Sequence, residues 1–201
     1  IFYYTGQDDP FAPDFTDNPA ADNSQFIEIW NNVFMSYNKQ ADGSFLPLQQ
    51  HNVDTGLGLE RMLTILNWIK GTVTDPDPYL TPLFWPTIDK LQQLTGHKYH
   101  HDSATTRSFR VVADHLRSAV FLVQDGVQPS NKEQGYVLRR LIRIAVRELQ
   151  KLDISSDHFA GAVTDVISTF INNSEYTTAY PDLIGNHAHI TTIINEEVNK
   201  F

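Results

Sequence analysis

The chain contains no cysteine, and its longest apolar run has only the five residues from Ala119 to Val123. The first absence excludes disulfides and thiolate metal sites within this sequence and is typical of a reducing compartment. The second excludes a membrane-spanning helix, which needs about 20 apolar residues. No leader with a charged start and an apolar centre opens the chain. Together these absences predict a cytoplasmic protein with no membrane partner.

Two common catalytic patterns are also missing. No Ser-His-Asp arrangement and no glycine-rich phosphate loop is evident, so we expect no covalent nucleophile. The histidine-rich segments HKYHH (97–101) and HAH (187–189) lack carboxylate or cysteine partners at metal-site spacing. We interpret them as solvated loop residues and predict no metal site built from protein side chains.

Basic residues are scarce except in one segment. Residues 107–151 hold nine of the 15 basic residues and four acidic ones, a net charge of +5 in a chain of net charge −9. A basic segment in an acidic protein indicates a local anionic partner such as a phosphate backbone, or alternatively a solvated helix face.

The first third of the chain has the pattern of an antiparallel sheet. Residues 26–37 alternate β-branched and aromatic side chains with polar ones, which predicts a strand. Asp42-Gly43 predicts a hairpin turn, with residues 45–53 returning as the partner strand. Residues 5–24 are rich in Asp, Pro and Asn and predict a long loop.

The rest of the pattern is helical, so the predicted fold class is α+β. Apolar residues at helical spacing predict a helix over 59–69, and the proline-rich segment 72–82 indicates a domain boundary. We therefore predict one domain over 1–74 and an all-helical domain over 75–201. Further helices are predicted at about 82–95, 103–124, 135–151, 156–173 and 188–201.

Candidate site residues lie on the strand and in the motif VDTGLGLERM (53–62). Asn31 is the polar exception on one strand face, so its amide either bonds neighbouring backbone or faces a ligand. A strand that ends in Asp54-Thr55-Gly56 and bends through Gly58 into a helix lets the backbone approach a ligand while the carboxylate projects toward a cation. Arg61 in the first helical turn suits an external anion or an aromatic ring. The alternative is an N-cap and a surface arginine.

A second candidate surface follows GYVLRRLIRIAVREL (135–149). Arg139, Arg143 and Arg147 lie four residues apart and would repel one another unless an anion lies over them. Arg110 and Arg117 on the preceding predicted helix could extend this surface. Asn131, in the loop before the arginine helix, either reads a base edge or caps a turn.

Four segments together resemble the alanyl-tRNA synthetase family, in that family's order and spacing. They are FIEIWNNVFMSYN, VDTGLGLERM, RSFRVVADHLRSAVFLVQDGVQPSNKEQGYVLRRLIRIAVREL and INEEVNKF. The resemblance covers nearly the whole chain and is weakest over 5–24, 70–103 and 150–185. It implies the later part of a class II catalytic domain, with its motif 3 helix, followed by most of a helical tRNA-recognition domain.

The resemblance also implies a role for each matched residue. Asn31 and Val33 would line the alanine pocket, Asp54 would pair with the alanine ammonium, and Gly56 would keep the pocket small. Gly58 and Arg61 belong to the segment that resembles motif 3, whose arginine stacks on the adenine of ATP.

The implied RNA contacts lie in the helical part. Asn131 would recognise the G·U pair of the tRNA(Ala) acceptor stem, and Arg139, Arg140 and Arg143 would hold phosphate or base edges. RNA duplexes expose their minor-groove edges, which suits such a reader, so the implied nucleic acid is RNA and no DNA partner is expected. Ile144 stands where the family commonly repeats an arginine, which predicts fewer backbone contacts.

The implied activity is an alanine–tRNA ligase that uses ATP and Mg²⁺ to form alanyl-adenylate and then charges tRNA. The opening IFYY and the closing INEEVNKF indicate a fragment, so motifs 1 and 2 and an editing domain would lie outside it and the fragment alone would be inactive. The alternative is a synthetase-derived RNA-binding or regulatory module without catalysis. The combination of Asn31, Asp54 and Arg61 argues against it, because a pure RNA binder needs no acceptor for an ammonium group.

Overall fold

A computed structural model describes residues 1–6, 8–9, 11–12, 15–19 and 25–200. The chain folds as two compact units, Ile1–Thr81 and Pro82–Phe201. The division falls at the end of the proline-rich segment, whereas the predicted domain boundary follows residue 74. Parts of the predicted 5–24 loop, namely residues 7, 10, 13, 14 and 20–24, lie outside the described residues, as does residue 201 at the end of the last predicted helix.

The first unit contains two antiparallel strand pairs. Strand β1 (Phe2–Tyr4) pairs with β2 (Phe26–Glu28), and β3 (Trp30–Lys39) pairs with β4 (Phe45–Leu57). The single strand predicted over 26–37 is therefore two, because the backbone leaves one partner and joins another at Ile29, whose N–H donates to the carbonyl of Ile1.

The β3–β4 hairpin turns where Asp42-Gly43 predicted. Gly43 has φ +87°, a conformation that glycine adopts without steric cost, and the Asp42 carboxylate accepts the backbone N–H of Ser44 at 2.9 Å. The ladder is irregular between Met35 and Tyr37, whose partners are Asn52 and Pro47. Five apolar residues of the hairpin, Phe34, Tyr37, Phe45, Leu46 and Val53, are more than half exposed.

Helix α1 (Leu59–Ile69) follows β4 after the single residue Gly58 and ends as its sequence predicted. Lys70 is the C-cap, and Gly71 leaves the helix with φ +68°. A short 3₁₀ turn (Pro78–Leu80) begins at Asp77, whose side chain accepts the N–H of Tyr79.

Within the described residues, all the regular secondary structure of the second unit is helical. Its helices are α2 (Trp85–Thr95), α3 (Ser103–Gln124), α4 (Glu133–Lys151), α5 (Phe159–Ile171), α6 (Ser174–Ala179) and α7 (Asp182–Val198), with a 3₁₀ turn at Ser156–His158. The predicted helices over 82–95, 103–124 and 135–151 agree with α2, α3 and α4 to within three residues. Helix α3 begins at an N-cap, Asp102, whose carboxylate accepts the N–H of Thr105 at 2.8 Å. None of the helices within the described ranges is long and apolar enough to span a membrane.

Apolar side chains from α3, α4, α5 and α7 form the core of the second unit. Phe109, Leu138, Ile142, Ile167 and Ile190 are among its fully buried members. This burial fixes α4 against α3 and α7, so the arginines of α4 are held at defined positions beside the packed face.

Candidate functional site

The candidate alanine residues lie on one face of the β3–β4 hairpin. Asn31 pairs directly with Gly56, and Val33 pairs with Asp54. Directly paired residues project to the same side of a sheet, and positions two apart share a face. All four residues are exposed, and the side chains of Asn31 and Asp54 have no hydrogen-bond or ion-pair partner among the described residues.

The opposite face of the hairpin carries a chain of polar contacts. The Trp30 indole N–H donates to the Thr55 hydroxyl, which donates to Asn32 Oδ1 at 2.8 Å. These contacts stabilise the register and leave the polar groups of Asn31 and Asp54 available on the other face.

A cavity of about 280 Å³ joins the strand ends to the start of α1. Its lining includes Asn31 and Gly56 from the predicted alanine residues, and Gly58 and Arg61 from the predicted nucleotide residues. Val33 and Asp54 are not part of this lining, although they share a sheet face with Asn31 and Gly56. The structure therefore brings together residues that lie up to 30 positions apart in sequence.

The absence of a side chain has a different consequence at each of the two glycines in this region. Gly58 has φ −78°, which any residue adopts, so the backbone conformation does not explain why this position is a glycine. A Cβ at Gly58 would lie 3.3 Å from Arg61 Cδ and 3.4 Å from Arg61 Cβ, so the missing methyl makes room for that side chain. A Cβ at Gly56 would have no protein atom within 4 Å and would enter open space on the candidate ligand face.

Arg61 is held by an internal partner that its sequence context did not reveal. Its Nη1 donates to the carbonyl oxygen of Glu28 at 3.1 Å and lies 3.7 Å from that residue's carboxylate. The Arg61 side chain is 55% exposed, so much of the guanidinium still faces solvent. Glu28 is thus the nearby anion, and an external anion is not required to explain Arg61.

Metal-ligating side chains do not gather anywhere in the part of the chain that the structure describes. In those ranges there is no group of three or more His, Cys, Asp or Glu residues able to hold a metal ion.

The second candidate surface surrounds a cavity of about 410 Å³ on α4 and the loop before it. Its lining contains all four predicted RNA-binding residues together with three others: Asn131, Tyr136, Arg139, Arg140, Arg143, Ile144 and Arg147. Tyr136, which was not predicted from the sequence, has a half-exposed ring beside the arginines. An aromatic residue three positions before Arg139, on the same helix face, was the available signal.

Glu197 of α7 is a second residue that the sequence analysis missed. Its carboxylate is almost fully buried and accepts from Arg143 Nε at 2.7 Å and from Arg139 Nε at 3.3 Å. An anion within the chain therefore offsets part of the repulsion along the arginine stripe. Nothing in the sequence spacing links Glu197 to residues more than 50 positions earlier. Arg140 and Arg147 have no such partner within residues 25–200.

Arg110 and Arg117 do not line the α4 cavity. Arg110 Nε donates to the Tyr99 hydroxyl at 2.7 Å. Arg117 lies over the Phe84 ring, 4.2 Å from its centroid, and donates to the Tyr176 hydroxyl at 3.2 Å. Arg110 thus bonds the segment that precedes α3, and Arg117 joins α3 to α6 and to the residue before α2.

Comparison with known proteins identifies the group to which these features belong. The family model of class II (A) tRNA synthetases matches residues 1–201. The chain is 36% identical over 204 residues to the alanine–tRNA ligases of Listeria welshimeri and Listeria innocua. It is also 36% identical over 205 residues to that of Bacillus mycoides. Each match covers 100% of the chain and 22% of the relative, so the chain spans less than a quarter of these proteins. Because the family model matches the chain from end to end, this chain belongs to the class II (A) tRNA synthetases.

Proposed function

We propose that the whole protein is a cytoplasmic alanine–tRNA ligase. It activates alanine with ATP to alanyl-adenylate and transfers the alanyl group to the 3′ end of tRNA(Ala). This chain supplies contacts to alanine, ATP and the acceptor stem, from the later part of the catalytic domain and most of the helical tRNA-recognition domain. The 36% identity, over the whole of this chain, to proteins named alanine–tRNA ligase supports the proposal.

The hairpin register is the observation that carries the alanine site. The pairs Asn31 with Gly56 and Val33 with Asp54 bring an amide, an apolar side chain, a carboxylate and an open position to one face. Such a set suits a small zwitterion with a methyl side chain. The Asp54 carboxylate would receive the ammonium group, Asn31 would bond the substrate, and the space at Gly56 and Val33 would receive the methyl group.

The ATP contacts would come from Gly58 and Arg61. The shared cavity with Asn31 and Gly56 supports this role, because it puts a guanidinium next to the amino-acid face. Arg61 would stack on the adenine and use its exposed portion for the nucleotide, while Glu28 holds its Nη1.

Mg²⁺ fits this site as an ion that binds with ATP. Mg²⁺ keeps several waters and needs only one or two carboxylates besides phosphate oxygens. A site without a dedicated cluster of protein ligands therefore suits it, and we assign the ion no ligand in this chain. When bound, it would neutralise charge on the phosphates.

The chemistry needs positioning and no covalent intermediate with the protein. A carboxylate oxygen of alanine attacks the α-phosphorus of ATP, and the bond to the leaving pyrophosphate breaks. A ribose hydroxyl of tRNA then attacks the alanyl carbonyl, and AMP leaves. Asp54, by holding the ammonium group, and Asn31, by bonding the substrate, would fix alanine so that its carboxylate is oriented for this attack.

The acceptor stem would bind at the α4 surface. Asn131, Arg139, Arg140 and Arg143 line one cavity, which supports a common role. Asn131 would contact the G·U pair, and the arginines would hold the backbone or base edges in the wide minor groove.

Alanine-dependent ATP–pyrophosphate exchange by the full-length protein tests the proposal. We expect Asp54→Asn to lower kcat/KM for alanine about 10- to 100-fold, because a hydrogen bond to a charged group contributes about 1.5–3 kcal/mol. Asp75→Asn removes the same charge from an exposed position in the same unit and serves as the matched control.

Two outcomes would contradict the proposal in different ways. A wild-type protein that binds tRNA(Ala) but catalyses no alanine-dependent exchange would support the RNA-binding module instead. Equal rates for the Asp54→Asn and Asp75→Asn variants would remove Asp54 from the alanine site.

A further inference from the structure

Glu197 links the core of the helical unit to its RNA-facing surface. The residue lies near the end of α7 with 3% of its surface exposed. One oxygen of its carboxylate, Oε1, accepts both Arg143 Nε at 2.7 Å and Arg139 Nε at 3.3 Å. A single buried anion therefore holds two of the four predicted RNA-binding residues.

Both contacts use the inner nitrogen of the guanidinium. A bond through Nε fixes one edge of the planar group and leaves the Nη1 on the other edge able to bond a different partner. Arg139 Nη1 donates to Asn131 Oδ1 and lies 3.5 Å from the Ser130 carbonyl oxygen. The chain of contacts thus runs from Glu197 through Arg139 to Asn131 and joins α7, α4 and the preceding loop.

This chain of contacts also sets the polarity of the Asn131 amide. Because Oδ1 already accepts from Arg139, the group of Asn131 that is directed elsewhere is the Nδ2 donor. RNA minor-groove edges and 2′-hydroxyls include acceptors for such a donor.

Stability alone does not explain a buried glutamate at this position. Burial of a carboxylate carries a desolvation cost that an ion pair repays only in part, and an apolar residue often stabilises a core equally well. The two arginines remain partly exposed, at 24% and 39% of their side chains, so the anion meets them where the core ends and the surface begins.

We propose that Glu197 is a positioning residue for acceptor-stem recognition, which rests on the proposed function. Its carboxylate orients Arg139 and Arg143 and, through Arg139, the amide of Asn131. It does not itself touch the RNA.

Charge and orientation predict opposite results for removal of Glu197. Glu197→Gln takes a negative charge away from a basic surface, so electrostatics alone would tighten RNA binding. Loss of orientation would weaken it, because the arginines would no longer present a fixed pair of guanidinium planes. The direction of the change therefore separates a positioning role from a neutralising one.

The test measures binding of the full-length protein to two hairpin RNAs. One carries the tRNA(Ala) acceptor stem with its G·U pair, and the other has G·C at that pair. Glu148→Gln is the matched control, because Glu148 is also 3% exposed in the same unit but pairs with Ser108, Lys151 and Arg107, which lie outside the α4 cavity.

We expect Glu197→Gln to weaken binding of the G·U hairpin by about tenfold or more and to reduce its preference over the G·C hairpin. Glu148→Gln should change the affinity for either hairpin less than about twofold, because Glu148 shares no partner with the residues of the α4 cavity. Unchanged or tighter binding by Glu197→Gln with full discrimination would overturn the proposal. An equal loss in both variants would overturn it as well.

A second variant keeps the test informative if Glu197→Gln unfolds. Arg139→Lys retains the positive charge but has no Nε to bond Glu197 and no Nη1 to bond Asn131, so we expect the same loss of discrimination. Full discrimination between the two hairpins by Arg139→Lys would overturn the proposal. A wild-type protein that binds neither hairpin would instead contradict the proposed function.

Discussion

Arg61 illustrates how one side chain depends on partners that sequence distance conceals. An arginine in the first turn of a helix gains nothing from the helix dipole, which suggested an external anion. The structure supplies an anion from the chain itself, since Glu28 lies 33 positions earlier and reaches Arg61 through strand pairing. The position of Arg61 therefore depends on β2 as well as on its own helix.

A substitution at Gly58 should affect ATP binding by displacing the side chain of Arg61. In Gly58→Ala the new methyl group would press on Arg61 Cδ, so we expect the guanidinium to shift and KM for ATP to rise about threefold to tenfold. ATP–pyrophosphate exchange with varied ATP and varied alanine measures the effect in the full-length protein.

Gly56→Ala is the comparison for that experiment. Its methyl group meets no protein atom and would fill space on the alanine face, so KM for alanine should rise more than KM for ATP. The assignment of Gly58 to nucleotide binding would be wrong if both variants changed the same constant to the same extent.

At the scale of elements, α4 packs closely against the loop that precedes it. Gly135 in the first turn of α4 lies against this loop, where the N–H of Ser130 donates to the Gly135 carbonyl at 3.1 Å. A Cβ at Gly135 would lie 2.5 Å from the carbonyl oxygen of Gln128 and closer still to the Ser130 hydroxyl. The loop conformation that presents Asn131 therefore requires glycine at this position.

We expect Gly135→Ala to displace the loop, lower the free energy of unfolding by about 1–3 kcal/mol and weaken acceptor-stem binding. Thermal unfolding and hairpin RNA titration of the full-length protein measure the two effects. Gly161→Ala in α5 is the control, since its methyl group meets nothing within 4 Å and alanine favours a helix. Wild-type affinity in Gly135→Ala would show that the loop does not need this contact.

The packing of α3 on α4 carries a pH dependence through Glu148. Burial alone would raise the pKa of this carboxyl, but hydrogen bonds from Lys151 and Ser108, together with the nearby Arg107 guanidinium, outweigh burial and hold the pKa below its ordinary value. A lowered pKa in the folded state means that the carboxylate stabilises the helices above its unfolded pKa, about 4.3. That stability is lost as the pH falls through the folded pKa.

We therefore expect hydrogen exchange of α3 and α4 peptides, corrected for intrinsic rates, to accelerate in the wild type as the pH falls below about 4.3. Glu148→Gln should cost about 1–2 kcal/mol of local stability at pH 7 and show a weaker acid response. The two proteins should converge in acid. A constant difference between them across the whole range would assign the acid response to other carboxyls.

At the scale of the whole molecule, the sequence predicted regular elements best where one face is buried. Helices α1 to α4 have apolar residues at helical spacing and recognisable ends, such as Asp102 before α3 and Gly71 after α1. The predictions were weaker where no periodic pattern marks a boundary. The α6 helix has only six residues, and α7 begins at Asp182, before the predicted start at 188.

The residues of the candidate sites also include some that the sequence predicted and others that it did not. Motif resemblance proposed Asn31, Asp54, Arg61 and Asn131, and the antiparallel register then brought the first two to one sheet face. No local pattern could have found Glu28 beside Arg61 or Glu197 beside Arg143. Such partners depend on pairing and packing between distant segments, which spacing along the chain does not record.

The exposed hairpin has a practical consequence for work with this 201-residue chain. A two-stranded ribbon is only marginally stable in water, and Phe34, Tyr37, Phe45 and Val53 expose apolar side chains to solvent on this one. Such surfaces promote self-association through strand edges. Precipitation of the isolated chain would therefore be caused by self-association of this hairpin. The helical unit, whose core residues are buried, would stay in solution.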